Sequence, residues 1–170
     1  MPLDARELLE FLAEVERSLD VQVELVAAGG TALTLLGVKP STLDVDFTGP
    51  KASIKAFQAA LKDTPHGFKV DLWTDGQVFS QFLPQDYLAK SRRIKRIGRI
   101  SLRALSPLDI IVTKAGRLDA RDEEDIRDCA RRFKVTKAAV TARAAKVEYA
   151  GREETYRERI SYVVDKLIAR

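Results

Sequence analysis

Apolar residues recur near the start of the chain at Leu8, Phe11, Leu12, Val15 and Leu19, the spacing of one face of a helix. Asp4 supplies an N-cap and Glu7 the partner acid of a capping box, so the chain opens with an amphipathic helix. The rhythm then changes. Val21 to Ala27 is nearly continuous in apolar residues and reads as a strand, and Gly29-Gly30 separates it from a short helical run, Thr31 to Leu36, that stops at Gly37. After Pro40, Asp44 and Asp46 alternate with Val45 and Phe47. A strand there puts both carboxylates on one face and the apolar pair in the core. Ile54, Phe57 and Leu61 mark a second amphipathic helix, roughly Ser53 to Leu61. His66-Gly67 turns the chain into a strand from Phe68 to Trp73, whose two aromatic ends are expected in the core.

Gln77 to Ala89 supports no assignment, because Pro84 interrupts an otherwise helical pattern. Arg93 to Ile97 and Arg99 to Ala104, joined at Gly98, alternate basic with apolar residues and predict a hairpin with one wet, basic face. Ser106-Pro107 starts a helix whose buried side is Leu108, Ile111, Val112 and Ala115, with Asp109 in the first turn, where its charge suits the dipole. Helical patterns continue over Asp122 to Phe133, Thr136 to Val147 and Arg152 to Ile168. Ile126, Cys129, Ala130 and Phe133 form one apolar stripe; Ile160, Val163, Val164 and Leu167 form another. The order of elements predicts an α+β fold, a small mixed sheet flanked by helices over residues 1–134. Residues 135–170 are expected to form a helical extension packed on it rather than a domain of their own.

Composition narrows the chemistry. With 170 residues, 45% of them hydrophobic, the chain has material for one well-buried core. No run approaches the length of a membrane span, and Met1-Pro2-Leu3-Asp4-Ala5-Arg6 lacks the order of a signal peptide, so a cytoplasmic protein without membrane contact is expected. One cysteine, Cys129, excludes an intramolecular disulfide and a cysteine-rich zinc site, and one histidine, His66, leaves little for a histidine-based metal centre. Any metal must be held by oxygen. The absence of asparagine and the 32% of charged residues suggest a thermophilic source. The net charge of +4 is local: Lys90, Arg92, Arg93, Lys95, Arg96, Arg99 and Arg103 lie in a stretch without an acid, and the other 22 basic residues face 25 acids. Such an excess points to a polyanion, with RNA the first expectation, at Arg92, Arg93, Lys95, Arg96 and Arg99. No aromatic residues are interleaved there, so nothing supports sequence specificity.

The sharpest candidate chemistry lies at the acid pair. Two neighbouring carboxylates repel unless a cation sits between them, and a divalent metal carrying phosphates answers that repulsion. Gly29-Gly30 upstream lets backbone come close to the phosphate end of such a ligand. Gly29-Gly30-Thr31, then Thr42-x-Asp44-x-Asp46, then Asp71 within Lys69-Val70-Asp71-Leu72-Trp73, resembles the signature of the nucleotidyltransferase superfamily with a DNA polymerase β-like palm. Within it, the chain looks like the minimal-palm, toxin-type branch that includes the AbiEii-like proteins. The resemblance implies that Asp44, Asp46 and Asp71 bind two Mg²⁺ ions and are catalytic. It implies an NTP such as ATP as substrate, met by Gly29, Gly30, Thr31 and Lys114. The implied reaction moves an NMP to a hydroxyl of RNA or protein, as the toxin of a toxin–antitoxin pair with an antitoxin partner. Arg121-Asp122-x-x-Asp125 also resembles a pattern that follows the lysine-bearing helix, and it reads as structural support. The rival reading is a non-catalytic nucleic-acid-binding or toxin–antitoxin partner protein on the same fold.

Overall fold

The computed structural model describes residues 1–169. Helix α1, Ala5–Glu16, begins at the expected capping box: Asp4 accepts from the Glu7 amide at 2.8 Å, and Glu7 accepts from the Asp4 amide at 3.2 Å. Strand β1, Val23–Ala27, leads directly into α2, Gly29–Leu35, which starts at the glycine pair itself. Then come β2, Val45–Thr48, α3, Lys51–Leu61, and β3, Val70–Leu72. Two short strands, β4 (Gln77–Val78) and β5 (Gln81–Phe82), precede a one-turn helix α4, Tyr87–Lys90. The expected hairpin is β6, Arg92–Ile97, and β7, Ile100–Ala104, turning through Gly98 at φ +54°.

Five of these strands form one mixed sheet in the order β3-β2-β1-β7-β6. β2 and β3 run parallel, as do β1 and β7, while β1 with β2 and β6 with β7 are antiparallel. α3 covers one face, where Phe57 meets Phe47 edge-on at 5.8 Å between ring centroids. The parallel pairing sets Asp46 directly beside Asp71. That juxtaposition is what the sheet contributes to the site.

Helix α5, Pro107–Ala115, is capped by Ser106, whose hydroxyl accepts from the Asp109 amide at 3.1 Å. Its sequence suggests one buried side, yet every residue from Asp109 to Ala115 is buried, because other helices close around it. α6, Ala120–Phe133, starts at a second capping box, Asp119 with Asp122. α7, Lys137–Ala144, is followed by β8, Glu148–Tyr149, then by α8, Glu153–Tyr162, and a π-helical turn, Val163–Leu167. Residues beyond 134 are therefore mostly helical but contribute a strand, which pairs with β5 in a small sheet β4-β5-β8. They are also fastened to α5: Arg143 forks onto Asp109 at 2.6 and 3.0 Å, and the Tyr156 hydroxyl donates to the Val112 carbonyl at 2.8 Å.

Two expectations change, and one unassigned segment takes shape. The acid strand begins at Val45, so Asp46 lies within it but Asp44 sits in the bend before it. Gln77 to Ala89, for which the pattern supports no assignment, holds two strands of two residues and the one-turn α4, with Asp75 and Phe79 nearby at φ +56° and +55°. Phe68 and Trp73 are only half-buried; Phe68 leans on Phe11, and Trp73 leans on Phe79. Among the described residues no helix is long and apolar enough to cross a membrane.

Candidate active site

Asp46 is the anchor. Its backbone amide donates to the Thr31 hydroxyl at 2.9 Å, and the same hydroxyl donates to the Asp44 carbonyl at 3.0 Å. Thr42 also donates to that carbonyl, at 2.9 Å. Two hydroxyls thus clamp the backbone of the acid segment and leave the Asp44 side chain exposed. Thr31, expected to meet a phosphate oxygen, is fully buried with its hydroxyl engaged on both sides, so in this geometry it positions the acids. Gly29 lies so near Asp46 that a Cβ at that position would stand 2.9 Å from Oδ2, and its φ of +54° is a left-handed conformation that L side chains resist. Gly29→Ala should cost about 1–2 kcal/mol in urea titration and displace the Asp46 carboxylate. Gly67→Ala, where a Cβ meets nothing within 4 Å, is the control. Equal losses in the two variants would remove Gly29 from the site.

Asp46 is 5% exposed, and its Oδ1 is buried without any hydrogen-bond partner among the described residues. Burial, then repulsion from Asp71 and Asp44, pushes its pKa up to about 7, while Arg117 and Lys114 pull weakly the other way. Asp71 is half-buried, and its Oδ2 lies 3.4 Å from the Lys69 ammonium. Among the described residues no three acids, histidines or cysteines are grouped so as to hold a metal ion. The donor chemistry nonetheless suits a hard cation: an orphaned buried carboxylate oxygen beside a second carboxylate is half of an oxygen-ligand site. Asp44, whose side chain is exposed, would have to complete it.

Asp44 and Asp46 open onto a cavity of about 230 Å³, with Gly30 and Thr42 at its glycine side and Lys39, Lys114, Arg117 and Arg121 among its other walls. Gly30 is packed so closely that a Cβ there would meet the Thr42 hydroxyl at 2.7 Å. α2 starts without a side-chain cap, which leaves first-turn amides at that end unpaired by side chains. Lys114 is buried and bridges Asp122 at 3.0 Å and Asp125 at 2.9 Å; Lys39 reaches Asp125 at 3.2 Å. Arg117 forks onto Asp122 with two 2.8 Å hydrogen bonds and lies 4.4 Å over the Phe79 ring. Burial opposes the Asp122 charge, yet the Arg117 fork and the Lys114 ammonium hold its carboxyl down to about 2. The hydrogen bonds that Arg117 donates to Asp122 raise its pKa, and burial opposes them. The Arg121-Asp122-x-x-Asp125 acids therefore do support structure, and what they hold is the cationic wall facing the acids.

Sequence reasoning passed over Arg117 and Lys39. Arg117 stands three residues past Lys114, a helical turn away, and that spacing was a usable signal. Lys39 lies in a loop and carried none. The basic stretch splits up in three dimensions. Arg92 stacks on Phe133 at 4.7 Å, Lys95 pairs across the hairpin with Leu102 on the core-facing side, and Arg99 sits at the hairpin turn. Arg93 and Arg96 lie on the opposite face and line a separate groove. No curated protein and no solved structure matches the chain. The model of a family described as a nucleotidyltransferase of unknown function (DUF6036) matches residues 6–165, and the chain belongs to that family.

Proposed function

We propose that the chain is a metal-dependent nucleotidyltransferase that moves an NMP from an NTP such as ATP to a hydroxyl of RNA or protein. The observation that supports this best is the Asp46 carboxylate, buried, partly orphaned and set beside Asp71, at a cavity whose other wall carries Lys114, Arg117 and Lys39. Mg²⁺ held by Asp44, Asp46 and Asp71 would supply Lewis-acid stabilisation of the reacting phosphate and an acceptor hydroxyl that loses its proton readily. Gly29 and Gly30 let the phosphates approach the start of α2, and Thr31 fixes the acids from behind. Lys114 and Arg117, oriented by Asp122 and Asp125, face the polyphosphate and steady the charge on departing pyrophosphate.

The role of toxin in a toxin–antitoxin pair rests on resemblance to the AbiEii-like branch and extends the proposal to the cell. The test is incubation of the purified chain with α-labelled NTPs, Mg²⁺, and RNA or whole lysate. Label should move to a macromolecule and fall at least about a hundredfold in Asp44→Ala and Asp46→Ala. Expression of the parent chain, but of neither variant, should arrest growth. If no label moves under any condition while nucleic acid still binds, the non-catalytic reading replaces this one.

A further inference from the structure

The β6–β7 hairpin contains a bulge, and its consequence is chemical. Arg93 stands opposite Arg103 and Arg96 opposite Ser101, with the register shifting between Arg93 and Lys95. Arg103 and Ser101 are two residues apart on β7 and share a face, so Arg93 and Arg96 share it too, although they are three apart. An unbroken strand would have sent one of them to the other side. The extra residue gathers three guanidinium groups, those of Arg93, Arg96 and Arg103, along a groove of about 360 Å³, with Gln22, Ser53 and Ser101 beside them.

Two of these arginines are held by neutral groups, and none of the three is neutralised. Arg103 donates to the Ser91 hydroxyl at 2.6 Å and to the Ser91 carbonyl at 3.1 Å, and Arg96 donates to the Gln22 side-chain oxygen at 2.9 Å. All those acceptors are uncharged. Among the described residues none of the three takes part in an ion pair, whereas the buried cations Lys114 and Arg143 are both paired. Glu24 is the one acid of the lining, so the groove keeps an excess of two positive charges. Neutral anchors that orient a guanidinium while leaving its charge free suit a ligand that brings several negative charges in a row.

The groove also lies on the face of the carboxylates. Asp46 and Thr48 share one side of β2, Thr48 is opposite Val26, Val26 is beside Arg103, and Arg103 is opposite Arg93. Val26 and Thr48, which lie between the groove and Asp46 on that side, are fully buried. We propose that this groove binds the phosphodiester backbone of single-stranded nucleic acid, and that the bound strand serves as acceptor. The use of the bound strand as acceptor rests on the nucleotidyltransferase reading; the binding does not. No aromatic side chain lines the groove, so the backbone is held irrespective of base.

The test measures binding of fluorescent oligo(U), oligo(A) and oligo(dT) to the full chain across a salt series, without NTP or Mg²⁺. All three should bind with similar affinity, and log K should fall with log salt at a slope near about −2, the value for three contacts to a single strand. Arg93→Glu with Arg96→Glu, both on exposed positions, should weaken binding more than tenfold and flatten the slope, with an unchanged melting curve. Arg103→Gln should lower the slope by about 0.7. Lys95→Glu with Arg99→Glu makes the same change in net charge off the groove and should alter affinity less than twofold. Equal losses in the two double variants, a slope that does not move, or no binding at all would overturn the proposal. Labelling of RNA by the parent that persists in Arg93→Glu, Arg96→Glu would sink the groove and spare the transferase; lost binding with no labelling in the parent would do the reverse.

Discussion

Asp46→Asn should make the protein more stable and leave it without transfer activity. The carboxyl is almost wholly enclosed, its Oδ1 has no partner, and burial together with Asp71 and Asp44 raises its pKa from 3.8 to about 7. An acid whose folded pKa exceeds its unfolded value holds more protons folded than unfolded between the two. Stability therefore falls as pH rises through that window. A rise of about three units corresponds to roughly 4 kcal/mol, a penalty fully developed above pH 8. In metal-free buffer at pH 8 the asparagine variant should melt on the order of 10 °C above the parent. At pH 5 the gap should shrink by more than half. Added Mg²⁺ should raise the melting temperature of the parent at pH 8 and leave that of the variant in place. Identical melting at pH 8 would mean that the acid is at ease where it lies, and the argument for a cation at Asp46 would go with it.

That strain was only partly legible from the chain. Local signals carried through: the Asp4–Glu7 capping box, the Ser106-Pro107 helix start and the Gly98 hairpin each depend on neighbours within a few residues, and each formed as expected. The acid strands were legible too, because alternation with Val45, Phe47, Val70 and Leu72 follows the period of a strand. What failed depended on distant partners. Asp44 falls outside its strand, where the Thr31 hydroxyl from α2, together with that of Thr42, holds its carbonyl. Lys114 is expected to meet the nucleotide, but nothing beside it in the chain shows that Asp122 and Asp125 arrive from the next helix to enclose it. The segment around Phe79 has strands of two residues, too short for any periodicity, and an aromatic residue at φ +55° announces no turn. β8 escaped notice for the same reason of length.

Arg143→Met should cost about 3–5 kcal/mol, although Arg143 is far from the proposed chemistry in sequence and function. It reaches from α7 into the centre of the molecule and meets Asp109, which has no exposed surface, through two hydrogen bonds; a third, at 3.0 Å, goes to Asp86. Burial pushes the Asp109 carboxyl up against the pull of the guanidinium, so without Arg143 the acid is left enclosed and unpaired. Because a raised folded pKa destabilises more as pH rises, the loss in urea titration should be larger at pH 8 than at pH 5. Asp109→Leu combined with Arg143→Met removes both charges and should recover most of the stability, since a buried pair is worth little more than well-packed apolar residues. A loss below about 1 kcal/mol in the single variant would show that α7 is held by its apolar contacts alone. The expected loss, with recovery in the double variant, would tie residues beyond 134 to the same cooperative unit as the helix that carries Lys114.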